Sequence, residues 1–152
     1  MIGAIAGDMI GSPYESRPIK TTDFDPIVSA FTDDTVLTIA IAYSILKNAD
    51  IATSLKKFAQ KYHALPYGGA FKRWIWSWEN RPYNSFGNGA AMRVSPVGFA
   101  YDTVDEVLHQ AKRTAEVTHN HPEGIKGAQA TALAIYLARL GKNKETIRKE
   151  IT

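Results

Sequence analysis

The stretch SAFTDDTVLTIAIAYSIL, residues 29–46, sets two adjacent carboxylates at the mouth of a long apolar segment. The segment is helix-length and stops at a polar break over residues 48–50, so it reads as a helix. No alternating strand pattern stands on either side of it. That reading decides the fold class: the chain is expected to be all-α.

Downstream, Asp50 caps IATSLKKFAQKYHA, where Ile51, Leu55, Phe58 and Tyr62 recur at helical spacing. GAFKRWIWSW is a short aromatic helix candidate, and Phe71, Trp74 and Trp78 fall on one face, as core packing requires. ENRPYNSFGNG reads as a loop by its Pro, Asn and Gly content. Asp102 or Thr103 opens VDEVLHQAKRTAEVTH, with Val104, Val107, Leu108 and Ala111 on one face. Pro122 suits the first turn of PEGIKGAQATALAIYLARL, and Gly141 suits its C′ position. The small residues of that helix, including Gly124, Ala128 and Ala132, would let neighbouring helices approach closely. Asn143 caps KETIRKEIT, whose amphipathic pattern has barely begun at Thr152. One domain over residues 1–152 is expected, truncated relative to a longer one.

The 152 residues are enough for one core, and 45% apolar with 22% charged residues is ordinary for a soluble protein. The net charge of +3 comes from scattered lysines and arginines, with no basic arm, so nucleic acid ranks last among partners. There is no cysteine, which removes disulfides, thiolate zinc sites and a thiol nucleophile, and suits a reducing compartment. The longest greasy run is too short to span a bilayer. A cytoplasmic location is expected, with no membrane partner.

Four motifs carry candidate chemistry. In Thr32-Asp33-Asp34-Thr35, threonine and aspartate are good N-caps, and first-turn carboxylates suit the helix dipole. A cap explains one aspartate more easily than two, and clustered carboxylates with a hydroxyl suit Mg²⁺ or Mn²⁺. Spacing alone favours the cap. In GDMIGSPYE, residues 7–15, Asp8 interrupts an apolar segment, and Glu15 follows a proline on a loop. FGNGAAMRVSPVG, residues 86–98, is either a tight turn or an anion cradle of unhindered N–H groups at a helix start, with the Arg93 cation nearby. In THNHPEGIKGA, residues 118–128, one histidine contacting a ligand while the other holds a loop is favoured over zinc, which lacks further ligands.

Taken together and in this order, GDMIGSPYE, FTDDT, GNGAAMRVSPVG and THNHPEGIKGAQATALAI closely resemble the ADP-ribosylglycohydrolase family, which includes the hydrolase that reactivates dinitrogenase reductase. The resemblance runs from Met1 to Gly141. It implies a multi-helical all-α fold with a central cleft, a binuclear Mg²⁺ or Mn²⁺ site, and hydrolysis of the bond between ADP-ribose and its acceptor. By motif, Thr32, Asp33 and Asp34 resemble metal ligands, with Asp33 and Asp34 also counted as catalytic. Glu15 resembles the mobile catalytic carboxylate, with Asp8 orienting the site from behind. Gly87, Asn88, Gly89 and Met92 resemble the wall around the distal ribose and diphosphate, and His119 the ligand-contacting histidine.

The chain departs from the family in one respect. The late Asp-x-Asp-Thr motif that completes the metal site is absent: TDFD, residues 22–25, is too early, and YDTVDE, residues 101–106, has the wrong order. Three arrangements remain: a truncated member without the C-terminal helices, a site completed by self-association or a complementing chain, or a module that binds ADP-ribose without hydrolysing it.

Overall fold

The computed structural model describes residues 1–15, 19–22 and 30–151. Ser29 and residues 23–25 of the TDFD stretch lie outside them. Among the described residues the chain is helical throughout, with no strand. Helix α1 (Ile2–Gly11) runs into a 3₁₀ turn at Ser12–Tyr14, where Pro13 sits in the first turn. Then come α2 (Asp33–Lys47), α3 (Ile51–Lys61), α4 (Gly69–Ile75), α5 (Gly89–Met92), α6 (Ser95–Ala100), α7 (Val104–Glu116), α8 (Pro122–Arg139) and α9 (Lys144–Ile151).

The helix ends follow local chemistry. Asp50 Oδ1 accepts the Thr53 amide at 2.8 Å, and the Thr103 hydroxyl accepts the Glu106 amide at 3.2 Å, so Thr103 rather than Asp102 opens α7. Helix α8 ends in a Schellman motif. Gly141, at φ 74°, donates to the Ala138 carbonyl, and Lys142 donates to Leu137. Asn48, at φ 46°, makes the same arrangement after α2, with Ala49 donating to Ser44. Asn143 accepts the Thr146 amide at 2.9 Å and opens α9.

Helix α8 is the spine, packed on α5, α6, α7 and α9, while α2 and α3 pair beside it. Ile41, Leu55, Val94, Val97, Val107 and Ala132 are among the core residues with essentially no exposure. Small residues set the spacing, as expected of this helix. A Cβ on Gly98 of α6 would stand 2.8 Å from the Ala132 carbonyl oxygen of α8, so glycine is what permits that approach.

One feature differs from the sequence reading. Helix α4 stops at Ile75, one residue after Trp74. Phe71 and Trp74 are buried, but Trp78 lies beyond the helix and is fully exposed. The helical register that would have carried Trp78 into the core does not extend to it. A feature the sequence reading did not address is α1, which has no buried residue although its sequence is apolar, and Ile2 is 85% exposed.

Candidate active site

The N-terminus of α2 is held from a distance. Thr32 is the N-cap, its hydroxyl accepting the Asp34 amide at 3.3 Å. Asp8, on α1, supplies a second cap across 24 residues of chain. Its Oδ2 accepts the Thr32 amide at 2.8 Å and the Thr35 amide at 3.2 Å. The Thr32 and Thr35 hydroxyls donate to the same carboxylate at 2.6 and 2.5 Å. Capping therefore falls to Thr32 and Asp8, and the Asp33 and Asp34 carboxylates are not needed for it. The sequence offered both cap and ligand for these aspartates; in the structure the capping hydrogen bonds come from Thr32 and Asp8.

With α1 fastened this way, one oxygen from each of Asp8, Glu15 and Asp34 falls within a span of 4.8 Å. Like charges at that range, partly out of water, resist ionisation. Burial, then Asp34 and Asp8, raise the Glu15 pKa. Burial, then Asp8, raise that of Asp34. Asp33 is pushed up to about 6 by burial and by Asp34, with Glu15 and Asp8 adding smaller shares. Among the described residues, no lysine or arginine pairs with any of the four.

Asp33 and Asp34 face different spaces. Asp33 lines a cavity of about 280 Å³ together with Gly87, Asn88, Gly89, Met92 and His119. Asp34 lines a neighbouring cleft of about 310 Å³ with Asp8, Glu15 and Gly11. Met92 lines both and forms the wall between them. Residues distant in sequence thus meet in two adjoining spaces, with the α2 N-terminus between them.

The GNG loop is shaped by His119. A Cβ on Gly89 would stand 2.9 Å from His119 Nε2, so the ring lies directly against this glycine. Gly124, in the first turn of α8, brings the Ser85 carbonyl equally close. His121 is the N-cap of α8, its Nδ1 accepting the Glu123 amide at 3.1 Å. One histidine lines the cavity while its neighbour holds the chain.

The loop departs from expectation in two ways. Helix α5 is a single turn of four residues, so its dipole is small beside that of a full helix. Arg93 is not a surface cation beside the loop. It is completely buried, and its Nη2 donates to the Thr114 carbonyl at 3.0 Å and to the Thr118 hydroxyl at 2.8 Å. Burial pulls its pKa to about 10, so it remains charged at neutral pH. The cavity also takes in Gly68, Phe71 and Tyr83, which the motifs did not point to. The Gly68-Gly69 pair opening α4 was the one available signal.

The ADP-ribosylglycohydrolase family model matches residues 1–152. The chain is 30% identical to the ADP-ribosylhydrolase ARH3 of Gallus gallus, over 99% of this chain and 52% of that protein. It is 32% identical to the Homo sapiens ARH3, over 94% of this chain and 50% of that protein. An uncharacterized protein of Archaeoglobus fulgidus is 28% identical, over 99% of this chain and 58% of its own length. The chain spans about half the length of the curated ARH3 relatives it matches. A match along the whole sequence, on an all-α fold that brings the four motifs to one pair of adjoining spaces, places this chain in the ADP-ribosylglycohydrolase family.

Proposed function

We propose that this chain forms the ADP-ribose side of a metal-dependent hydrolase that releases ADP-ribose from an N- or O-linked acceptor. One observation carries the reading: Asp33 shares its cavity with the GNG loop, Met92 and His119, while Asp34 shares the adjoining cleft with Glu15. Ligand-contacting groups and proton-handling groups are thereby neighbours.

The donor set fits a hard divalent cation. Thr32, Asp33 and Asp34 would hold Mg²⁺ or Mn²⁺ through oxygen alone, and among the described residues no lysine or arginine pairs with the mutually repelling carboxylates. When bound, such an ion supplies Lewis acidity and lowers the pKa of water in the site.

The chain's own residues account for the remaining steps. The 87–89 loop and Met92 wall the ribose and diphosphate, and His119 orients the ligand. The bond from the anomeric ribose carbon to its acceptor breaks as a water oxygen bonds to that carbon. One water proton stays on the new hydroxyl, and the other ends on the departing acceptor atom. Glu15, in the cleft beside Asp34, takes up that proton and passes it to the departing atom.

A second reading is favoured by the close acidic group of Asp8, Glu15 and Asp34, because Asp8 is already committed to the α2 N-terminus. In that reading the chain binds ADP-ribose without turnover, or a second copy or a complementing chain completes the ligand set against the exposed α1. The deciding experiment is ADP-ribose release from ADP-ribosylated arginine and serine peptides with Mg²⁺, Mn²⁺ or EDTA, beside Asp34→Ala. Metal-dependent release lost in the variant supports the hydrolase. Binding that ignores EDTA, with no release, supports the binding module.

A further inference from the structure

Behind His119 lies a row of buried polar groups that the proposed chemistry does not use. Arg93 and Thr118 are both completely buried. Arg93 Nη2 reaches Thr118 Oγ1 at 2.8 Å, and that oxygen lies 2.7 Å from His119 Nδ1. A guanidinium has donors only, so Thr118 must accept from Arg93. Among the described residues the only hydrogen-bond acceptor found for the buried Thr118 proton is His119 Nδ1, so the hydroxyl donates to it. A nitrogen that accepts a hydrogen bond carries no proton, so in the neutral ring the proton sits on Nε2.

The other side of the ring completes the picture. Nε2 lies against Gly89 at the cavity wall and has no hydrogen-bond partner among the described residues. The buried Arg93 charge and burial itself both oppose a second proton on the ring.

We propose that Arg93 and Thr118 are positioning residues that hold His119 as the Nε2–H tautomer, so that the ring offers a donor to an acceptor oxygen of the ligand in the cavity. The proposal rests on the reading above for the identity of that ligand, ADP-ribose. It also separates roles: His119 does not take a proton on its cavity side, and activation of water falls to the carboxylates.

Nitrogen-detected NMR of the intact chain at pH 7.5, with His119 assigned through His119→Gln, tests this directly. The expected spectrum has Nδ1 as the bare, pyridine-type nitrogen and Nε2 as the protonated one. Thr118→Val should release that preference and weaken ADP-ribose binding about fivefold or more, whereas Thr118→Ser should keep both. A proton on Nδ1 in the wild-type chain overturns the proposal, as does a Thr118→Val tautomer identical to wild type. The wild-type spectrum decides the tautomer even if Thr118→Val does not fold. An Nε2–H ring in a chain that fails to bind ADP-ribose supports the tautomer and overturns the functional reading instead.

Discussion

Asp8 grips Thr32 with both carboxylate oxygens, taking the hydroxyl at 2.6 Å on Oδ1 and the amide at 2.8 Å on Oδ2. Twenty-four residues separate the two, yet this grip, extended to Thr35, is the polar tie between α1 and the start of α2. It places Glu15 beside Asp34, because α1 leads straight into the turn that carries Glu15. Charge-assisted bonds of this kind are among the stronger ones available to a protein.

Replacing Asp8 by Ala should therefore destabilise the chain by about 2–3 kcal/mol, through the lost second cap and the unpaired Thr32 and Thr35 N–H groups. Denaturant melts would show this as a lower midpoint with an unchanged slope. An Asp8→Ala midpoint equal to wild type would remove the structural role assigned to Asp8.

Asp33 should make the metal-free chain less stable at neutral pH than at mildly acidic pH. Its folded-state pKa is raised to about 6 from an ordinary 3.8, so its favourable contribution is complete below the lower value and is lost as pH rises through the upper one. Because the side chain is half-exposed, the effect is on the order of 1 kcal/mol. Asp33→Asn should raise the metal-free Tm at pH 7.5 and abolish the stabilisation expected on adding Mg²⁺ or Mn²⁺ under the proposed function. A lower Tm for Asp33→Asn would contradict the repulsion described here.

His119 works in the opposite direction over an overlapping range. Burial and the Arg93 charge lower its pKa to about 4 from 6.5, so the unfolded chain binds the proton first. Stability should fall as pH drops from 6.5 toward 4, by roughly 2 kcal/mol, and this slope should vanish in His119→Gln. The two single variants separate the opposing slopes in urea melts taken across that window.

Gly89→Ala would drive a Cβ to 2.9 Å from His119 Nε2 and to 3.0 Å from Cε1. The ring must move, so ADP-ribose affinity should fall about tenfold while the Tm changes little. Gly124→Ala meets the Ser85 carbonyl oxygen at 2.8 Å, and backbone cannot swing aside, so its main cost should be stability. Calorimetric titration and thermal melts on the pair would expose a wrong assignment if the two costs were reversed.

Trp74 and Trp78 should behave as unlike residues despite their shared spacing. Trp74 is buried, with its indole N–H on the Arg81 carbonyl at 3.1 Å, and Trp74→Ala should cost about 3–5 kcal/mol. Trp78 is bare, and Trp78→Ala should stay within about 0.5 kcal/mol of wild type. Equal losses in urea melts would mean that Trp78 is covered in solution.

Much of the fold was legible because caps and periodicity are local signals. Asp50, Thr103, Pro122, Gly141 and Asn143 each mark a helix end through their own backbone or side-chain chemistry, and each is found at that end. The aromatic run misled at Trp78 because periodicity assumes a helix that continues, and nothing local announces that α4 stops at Ile75. In the site, the order of four motifs was enough to indicate the family, and the candidates Asp33, Gly87, Asn88, Gly89, Met92 and His119 do line one cavity.

What the sequence determined by itself was the helix-only class, the helix ends and which residue types are available for chemistry, since these depend on neighbours within a turn or two. Tertiary structure decided the division of labour. It set Asp8 as the cap of α2, turned Asp33 and Asp34 toward different spaces, buried Arg93 behind His119 and left α1 bare. The first three rest on contacts between residues 20 or more positions apart, where the cost of desolvating a charge is set by what packs around it and not by the sequence beside it.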